Sequence, residues 1–120
     1  MSYDIHLFSR ETKLKAQKQG QFNFFDDDKN FEPFTDQQIK ELMERLTDYG
    51  YEFIRKDEFG SHYSHEEFGI SASLANNGLY FSTSGDEDDI FEMGMTVSEF
   101  TDSGEFEKYD PQNGGWEEID

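Results

Sequence analysis

Residues 51–120 carry 18 Asp and Glu against 3 Lys and Arg, a balance of -15, while residues 1–50 carry 10 against 7, a balance of -3. The whole chain of 120 residues therefore stands at -18. Self-repulsion on that scale opposes compaction, so the chain folds only around a core strong enough to overcome it. Leu, Ile and Val are scarce, but there are 13 Phe, and aromatic residues make up 17% of the chain. Disordered acidic segments are usually poor in aromatics. Each buried aromatic side chain removes roughly 150–250 Å² from water. The expectation is one folded domain over residues 1–120, with an aromatic core under a solvated acidic surface.

The same charge bounds the partners. An anionic field repels nucleic acid and membrane surfaces, so a partner held by that field is a basic protein. With no Cys, there is neither a disulfide framework nor thiolate chemistry. The opening Met1-Ser2-Tyr3-Asp4 has no basic, apolar leader, so no signal peptide is expected. No apolar run approaches the ~20 residues of a membrane span. A cytoplasmic monomer without membrane or nucleic-acid partners is the expectation.

Periodicity gives the elements. Ser2 to Phe8 alternates, with Tyr3, Ile5 and Leu7 on one face and Asp4 and His6 on the other, which predicts a half-buried strand. Residues 10–18 hold Arg10, Lys13, Lys15 and Lys18 against Glu11 alone and read as an exposed basic loop. Residues 21–34 read as a long loop that lays Phe anchors on the core around Asp26-Asp27-Asp28. Thr35 and Gln38 match a capping box, and Ile39, Leu42, Met43, Leu46 and Tyr49 then fall at helical spacing up to Gly50.

Strands are predicted over 51–55, 68–74 and 79–83, with a hairpin turn at Asn76-Asn77-Gly78. Residues 86–104 suit a helix through Ile90, Met93, Val97 and Phe100, although Phe91, Met93, Met95 and Val97 would also suit a strand. The length and the acidic N-terminal end favour the helix. A short strand over 106–109, a turn over 110–115 and a last strand or tail from Trp116 follow. The predicted order is β-α-β-β-β-α-β, an α+β domain with a mainly antiparallel sheet and two helices on one face.

Catalytic signatures are weak. His62-Tyr63-Ser64-His65-Glu66-Glu67 has metal-ligand residue types, but at a spacing that matches no zinc site. It reads as a polar loop between strands, so neither a metal nor a cofactor is expected. Asp26-x-Asp28-x-Asn30 begins like a calcium loop and then fails, with Phe31 where Gly belongs and Gln37 where Glu belongs. Asp86-x-Asp88 fails sooner, at Ile90. His6 reads as a solvent-facing strand residue rather than an acid–base group. No phosphate-binding glycine loop or nucleophile motif occurs.

Met1-Ser2-Tyr3-Asp4-Ile5 and the turn Tyr109-Asp110-Pro111-Gln112 together resemble a group of small uncharacterised acidic bacterial proteins. Some of these look like immunity partners of secreted toxins. The resemblance implies a non-enzymatic inhibitor that neutralises a basic toxin or nuclease. On the charge argument its partner-binding residues would be Asp86, Glu87, Asp88, Asp89, Glu92, Glu99, Asp102 and Glu105. One alternative is a soluble domain whose acidity serves only solubility. Another is a metal-dependent or hydrolytic enzyme built on His62, His65 and Glu66.

Overall fold

The computed structural model describes residues 3–19, 31–84, 86–110 and 115–116. In chain order the elements are β1 (Tyr3–Ser9), α1 (Arg10–Gln19), α2 (Asp36–Asp48), β2 (Tyr51–Asp57) and β3 (Gly60–His65). Then come β4 (Ile70–Leu74), β5 (Leu79–Thr83), α3 (Glu87–Phe100), β6 (Phe106–Asp110) and β7 (Gly115–Trp116). The strands form one sheet in the order β2-β3-β4-β5-β1-β6-β7, and every pairing is antiparallel. The radius of gyration is 13.6 Å, against ~14 Å for a compact chain of this length and ~35 Å for an unfolded one. The core thus overcomes the self-repulsion.

The α+β class stands, but the order differs from the predicted one. Residues 10–18 are not a loop. They form α1, because the Ser9 hydroxyl accepts from the Thr12 backbone N–H at 3.2 Å and caps the first turn. Among the described side chains of this helix only Thr12 and Ala16 are buried, so they show no apolar stripe. Lys13 pairs with Glu107 at 2.9 Å, and Lys15 with Glu32 at 3.4 Å.

The segment 62–67 is likewise not a loop throughout, since its first four residues belong to β3, between β2 and β4. In that strand Tyr63 alone is buried. The Asp26-Asp27-Asp28 run and the turn 111–114 lie outside the described residues, as does most of the 21–34 loop; of its anchors, Phe34 packs against Phe106 at 5.5 Å.

The remaining elements match their local signals. Thr35 and Gln38 close the capping box of α2 in both directions, and Gly50 follows its end at φ 93°, a backbone state that favours glycine. Leu42 and Leu46 are fully buried, and Ile39 and Tyr49 pack against the same core. Met43, predicted to join them, faces outward instead. Residues 87–100 are helical, with Asp86 as the cap accepting from Asp88 N at 3.1 Å.

Register divides the sheet into two faces. On one face Ile5, Phe81 and Ala72 stand abreast across β1, β5 and β4. Helices α2 and α3 cover this face, and Leu42, Leu46, Met93, Val97 and Phe100 complete the main core. The opposite face carries a row that crosses the sheet: His62, Ser73, Tyr80, His6, Tyr109 and Trp116. At the β6–β7 end of that row Phe8, Ala16 and Trp116 form a second, smaller core. Towards β3 and β4 the row becomes polar.

Candidate functional site

Helix α3 (Glu87–Phe100) carries the exposed apolar residues Phe91 and Met95 on its outer side. Met93, Thr96, Val97 and Phe100 point into the core, which turns Phe91 and Met95 outward. Phe91 is 69% exposed and Met95 43%. Exposed apolar residues that lie together mark docking sites more often than isolated ones do. Beneath them a cleft of about 580 Å³ opens between α3 and strands β1 and β6, lined by Tyr3, Ile5, Ile90, Met95 and Lys108 among others. Lys108 is tied across this cleft, donating to Gly94 O at 3.2 Å and meeting Ser98 Oγ at 2.9 Å. At its floor the Tyr3 hydroxyl donates to Asp110 at 2.8 Å; burial and that neighbouring carboxylate raise the tyrosine pKa.

The eight acidic residues expected to bind a partner do not form one patch. Asp86, Glu87, Asp88 and Asp89 gather at the N-terminal end of α3, and Glu99, Asp102 and Glu105 at or beyond its C-terminal end. The helix of 14 residues is ~21 Å long, so the two groups bracket the Phe91/Met95 strip. Glu92 lies on the flank of the helix nearer Tyr51, whose hydroxyl is pushed well up by burial and by that carboxylate.

The three acids of the C-terminal group all have neighbours within the molecule, Glu99 beside Tyr49, Asp102 beside Arg45 and Glu105 beside Glu41. Arg45 of α2 meets Asp102 at 2.7 Å, donates to Glu99 O at 3.1 Å and lies over the Phe100 ring at 5.6 Å. The last turn of α3 has no basic residue of its own, so Arg45 complements its negative end from outside. Glu105 sits beside Glu41; burial and that like charge raise the Glu41 pKa. Pairing with Asp102 outweighs desolvation at Arg45 and raises its pKa.

The histidines resolve differently from one another. His62 and His65 are three positions apart on one strand, so they point to opposite faces and cannot share an ion. His65 Nε2 meets Tyr49 O at 2.9 Å, and its Nδ1 accepts from Glu67 N and Phe68 N at 3.0 and 3.2 Å. The ring is therefore a neutral clamp on the turn that follows β3. Glu66 stands beside Glu52, which raises its pKa. Among the described residues no group of three or more His, Asp or Glu side chains could hold a metal ion.

His6 does not face solvent. It packs among Tyr80 at 4.9 Å, Phe8 at 5.8 Å and Tyr109 at 6.4 Å, and desolvation lowers its pKa against the pull of Asp4 and Asp110. His62 is the histidine that sequence reasoning paired wrongly. It lies between Asp57 at 2.9 Å and Ser73 at 2.8 Å, neither of which the sequence singled out. The only available signal was register, which a polar strand hides.

No helix among the described residues is long and apolar enough to cross a membrane. The chain matches no known family model, and no curated protein is similar to it.

Proposed function

We propose that this chain is a small cytoplasmic protein-binding domain that captures a basic partner on the outward face of α3. Its role would be that of an immunity-type inhibitor of a basic toxin or nuclease. The observation that carries this reading is the exposed Phe91/Met95 strip set between two acidic groups. Apolar anchors flanked by charge at both ends resemble the anatomy of a specific interface, which has desolvated contacts at the centre and a polar rim. A nuclease needs a cationic cleft for phosphates. An acidic inhibitor occupies such a cleft, and the field of -18 speeds the encounter.

A second reading, acidity for solubility alone, is supported by the internal use of Asp102 by Arg45. The two readings separate on one experiment with a defined probe, a synthetic helical peptide with Leu at i, i+3, i+4 and i+7 and Lys elsewhere. Asp86, Glu87, Asp88 and Asp89 changed together to Asn and Gln should slow association about tenfold or more at low salt. Phe91→Ser should instead speed dissociation, because anchors act mainly on the off-rate. Unchanged association and dissociation in both variants would leave only the solubility role.

A further inference from the structure

A second site, independent of the α3 surface, lies at the other end of the molecule. His62 of β3 and Ser73 of β4 stand directly opposite each other in the ladder, so their side chains share the open face of the sheet. Asp57 closes β2 and pairs with Gly60 across the turn. The Phe59 backbone N–H donates to Asp57 Oδ1 at 2.9 Å, which holds the carboxylate toward His62. Gly60, at φ 139°, has no Cβ to collide with the Leu74 carbonyl, so the turn lies against the end of β4. Backbone geometry thus brings together three side chains from three adjacent strands.

The partners decide the proton positions. Asp57, its carboxyl held below the ordinary range chiefly by the His62 hydrogen bond, only accepts, so His62 Nε2 carries the ring proton. In the neutral ring Nδ1 is then the acceptor, and the Ser73 hydroxyl, 2.8 Å away, donates to it. A serine on a neutral imidazole nitrogen, with a carboxylate behind the ring, is the working part of a hydrolytic triad. Here the two ring nitrogens exchange places relative to the serine-protease arrangement, which leaves the proton path intact.

The relay opens on a cavity of about 580 Å³ between the β2–β3 and β4–β5 turns, lined by Phe59, Asn76, Asn77 and Tyr80 besides His62 and Ser73. That volume suits a small organic ligand. Phe59, 74% exposed, offers an apolar wall. The side-chain amides of Asn76 and Asn77 are donors of the kind that stabilise an oxyanion. Glu58 in the lining and Asp57 behind His62 repel anions.

We propose that Ser73 is an acyl-transfer nucleophile for small neutral or cationic carboxylic esters. Ser73 Oγ bonds to the ester carbonyl carbon as its proton passes to His62 Nδ1. The oxyanion then re-forms the carbonyl and breaks the bond to the alkoxy oxygen, which takes the proton from Nδ1 and leaves as the alcohol. Water adds to the acyl-serine by the same path and gives up its proton through Nδ1 to Ser73. The products are the free acid and the regenerated serine. Asp57 is a positioning residue that holds Nε2–H and stabilises the imidazolium.

The test uses the intact chain, 4-nitrophenyl acetate and an uncharged fluorophosphonate. The expected result is a covalent adduct confined to the peptide containing Ser73. Hydrolysis should fall about 100-fold or more in Ser73→Ala and His62→Gln, since a positioned general base contributes ~10²–10⁴. Asp57→Asn should slow hydrolysis and move the acid limb of its pH profile downward. Ser73→Cys, the single thiol of a chain without cysteine, guards against misfolding in Ser73→Ala. It should alkylate with iodoacetamide at least about tenfold faster than the same thiol in the His62→Gln background. An unlabelled Ser73, hydrolysis no faster than free imidazole, or a Ser73→Cys alkylation rate indifferent to His62 would each overturn the proposal.

Discussion

The two faces of the sheet are built from the same strands and do opposite work. On β5, Leu79, Phe81 and Thr83 are buried under α2 and α3, while Tyr80 and Ser82 between them stay half-buried. On β4, Ile70, Ala72 and Leu74 are buried, with Ser71 exposed and Ser73 half-buried. The covered face supplies the burial that holds an anionic chain together. The open face, freed from that task over β3 and β4, holds hydroxyls and an imidazole in hydrogen-bonding register. Alternation at a period of two lets one strand serve both ends.

The largest expected contrast lies within one strand. Phe81→Ala should destabilise the fold by about 3–5 kcal/mol, because the fully buried ring leaves a cavity. Its neighbour Ser82→Ala should stay within about 0.5 kcal/mol. Chemical denaturation of the two variants compares the faces directly, and similar losses would break the division. Leu42→Ala, under α2, should cost about 2–5 kcal/mol by the same reasoning.

The aromatic end of the open face should show itself through pH. His6 is kept neutral by burial, and its pKa is lowered from the ordinary 6.5. The unfolded chain therefore takes up the proton first. The His6 contribution is complete above about pH 6.5 and is lost as pH falls toward and through the lower folded value. Stability measured from pH 8 to 5 should decline on the acid side, and His6→Phe should flatten that decline. An unchanged slope would place the acid sensitivity elsewhere.

Two smaller effects sharpen the picture of α3. A Cβ on Gly94 would find its nearest neighbours, Ile5 and the Lys108 ammonium, at 3.8 Å. Gly94→Ala should therefore stabilise the helix by about 0.5–1 kcal/mol, seen as a higher melting temperature. A loss instead would mean that the cleft cannot take a methyl group. Raising NaCl from about 20 mM to about 500 mM should raise the denaturation midpoint slightly, as screening weakens the self-repulsion of the acidic half. A flat or falling midpoint would show that ion pairs such as Arg45–Asp102 outweigh that repulsion.

How far the sequence carried depends on which face an element serves. α2 was legible because the capping box and the Ile39, Leu42 and Leu46 spacing act locally. α3 was legible through its acidic N-terminal end, although Gly94 and Thr96 argue for less helix. α1 was hidden because its buried face is Thr12 and Ala16, too small to register as an apolar stripe. The signal was Ser9, a capping side chain that the sequence reading gave no role.

β3 was hidden because Ser61, His62, Ser64 and His65 carry no apolar alternation. It is a strand because β2 and β4 pair with it on both sides, and that pairing is not written in its own residues. The acidic site was half legible. Composition identified the charge, but not that α3 would separate it into two ends, nor that Arg45 would occupy Asp102. The Asp57–His62–Ser73 contact depends on register across three strands, which no local pattern encodes.

The central claim is that docking is confined to the outward face of α3 rather than spread over the acidic surface. Backbone amide NMR spectra of the labelled chain, titrated with the helical Lys/Leu peptide, test it most directly. The account expects shifts concentrated at Phe91, Met95 and the flanking residues 86–89 and 99. Phe91→Ser should weaken them, with little change over β2 and β3. Shifts spread evenly across all acidic segments, Glu52, Glu58, Glu66 and Glu67 included, and indifferent to Phe91→Ser, would contradict it.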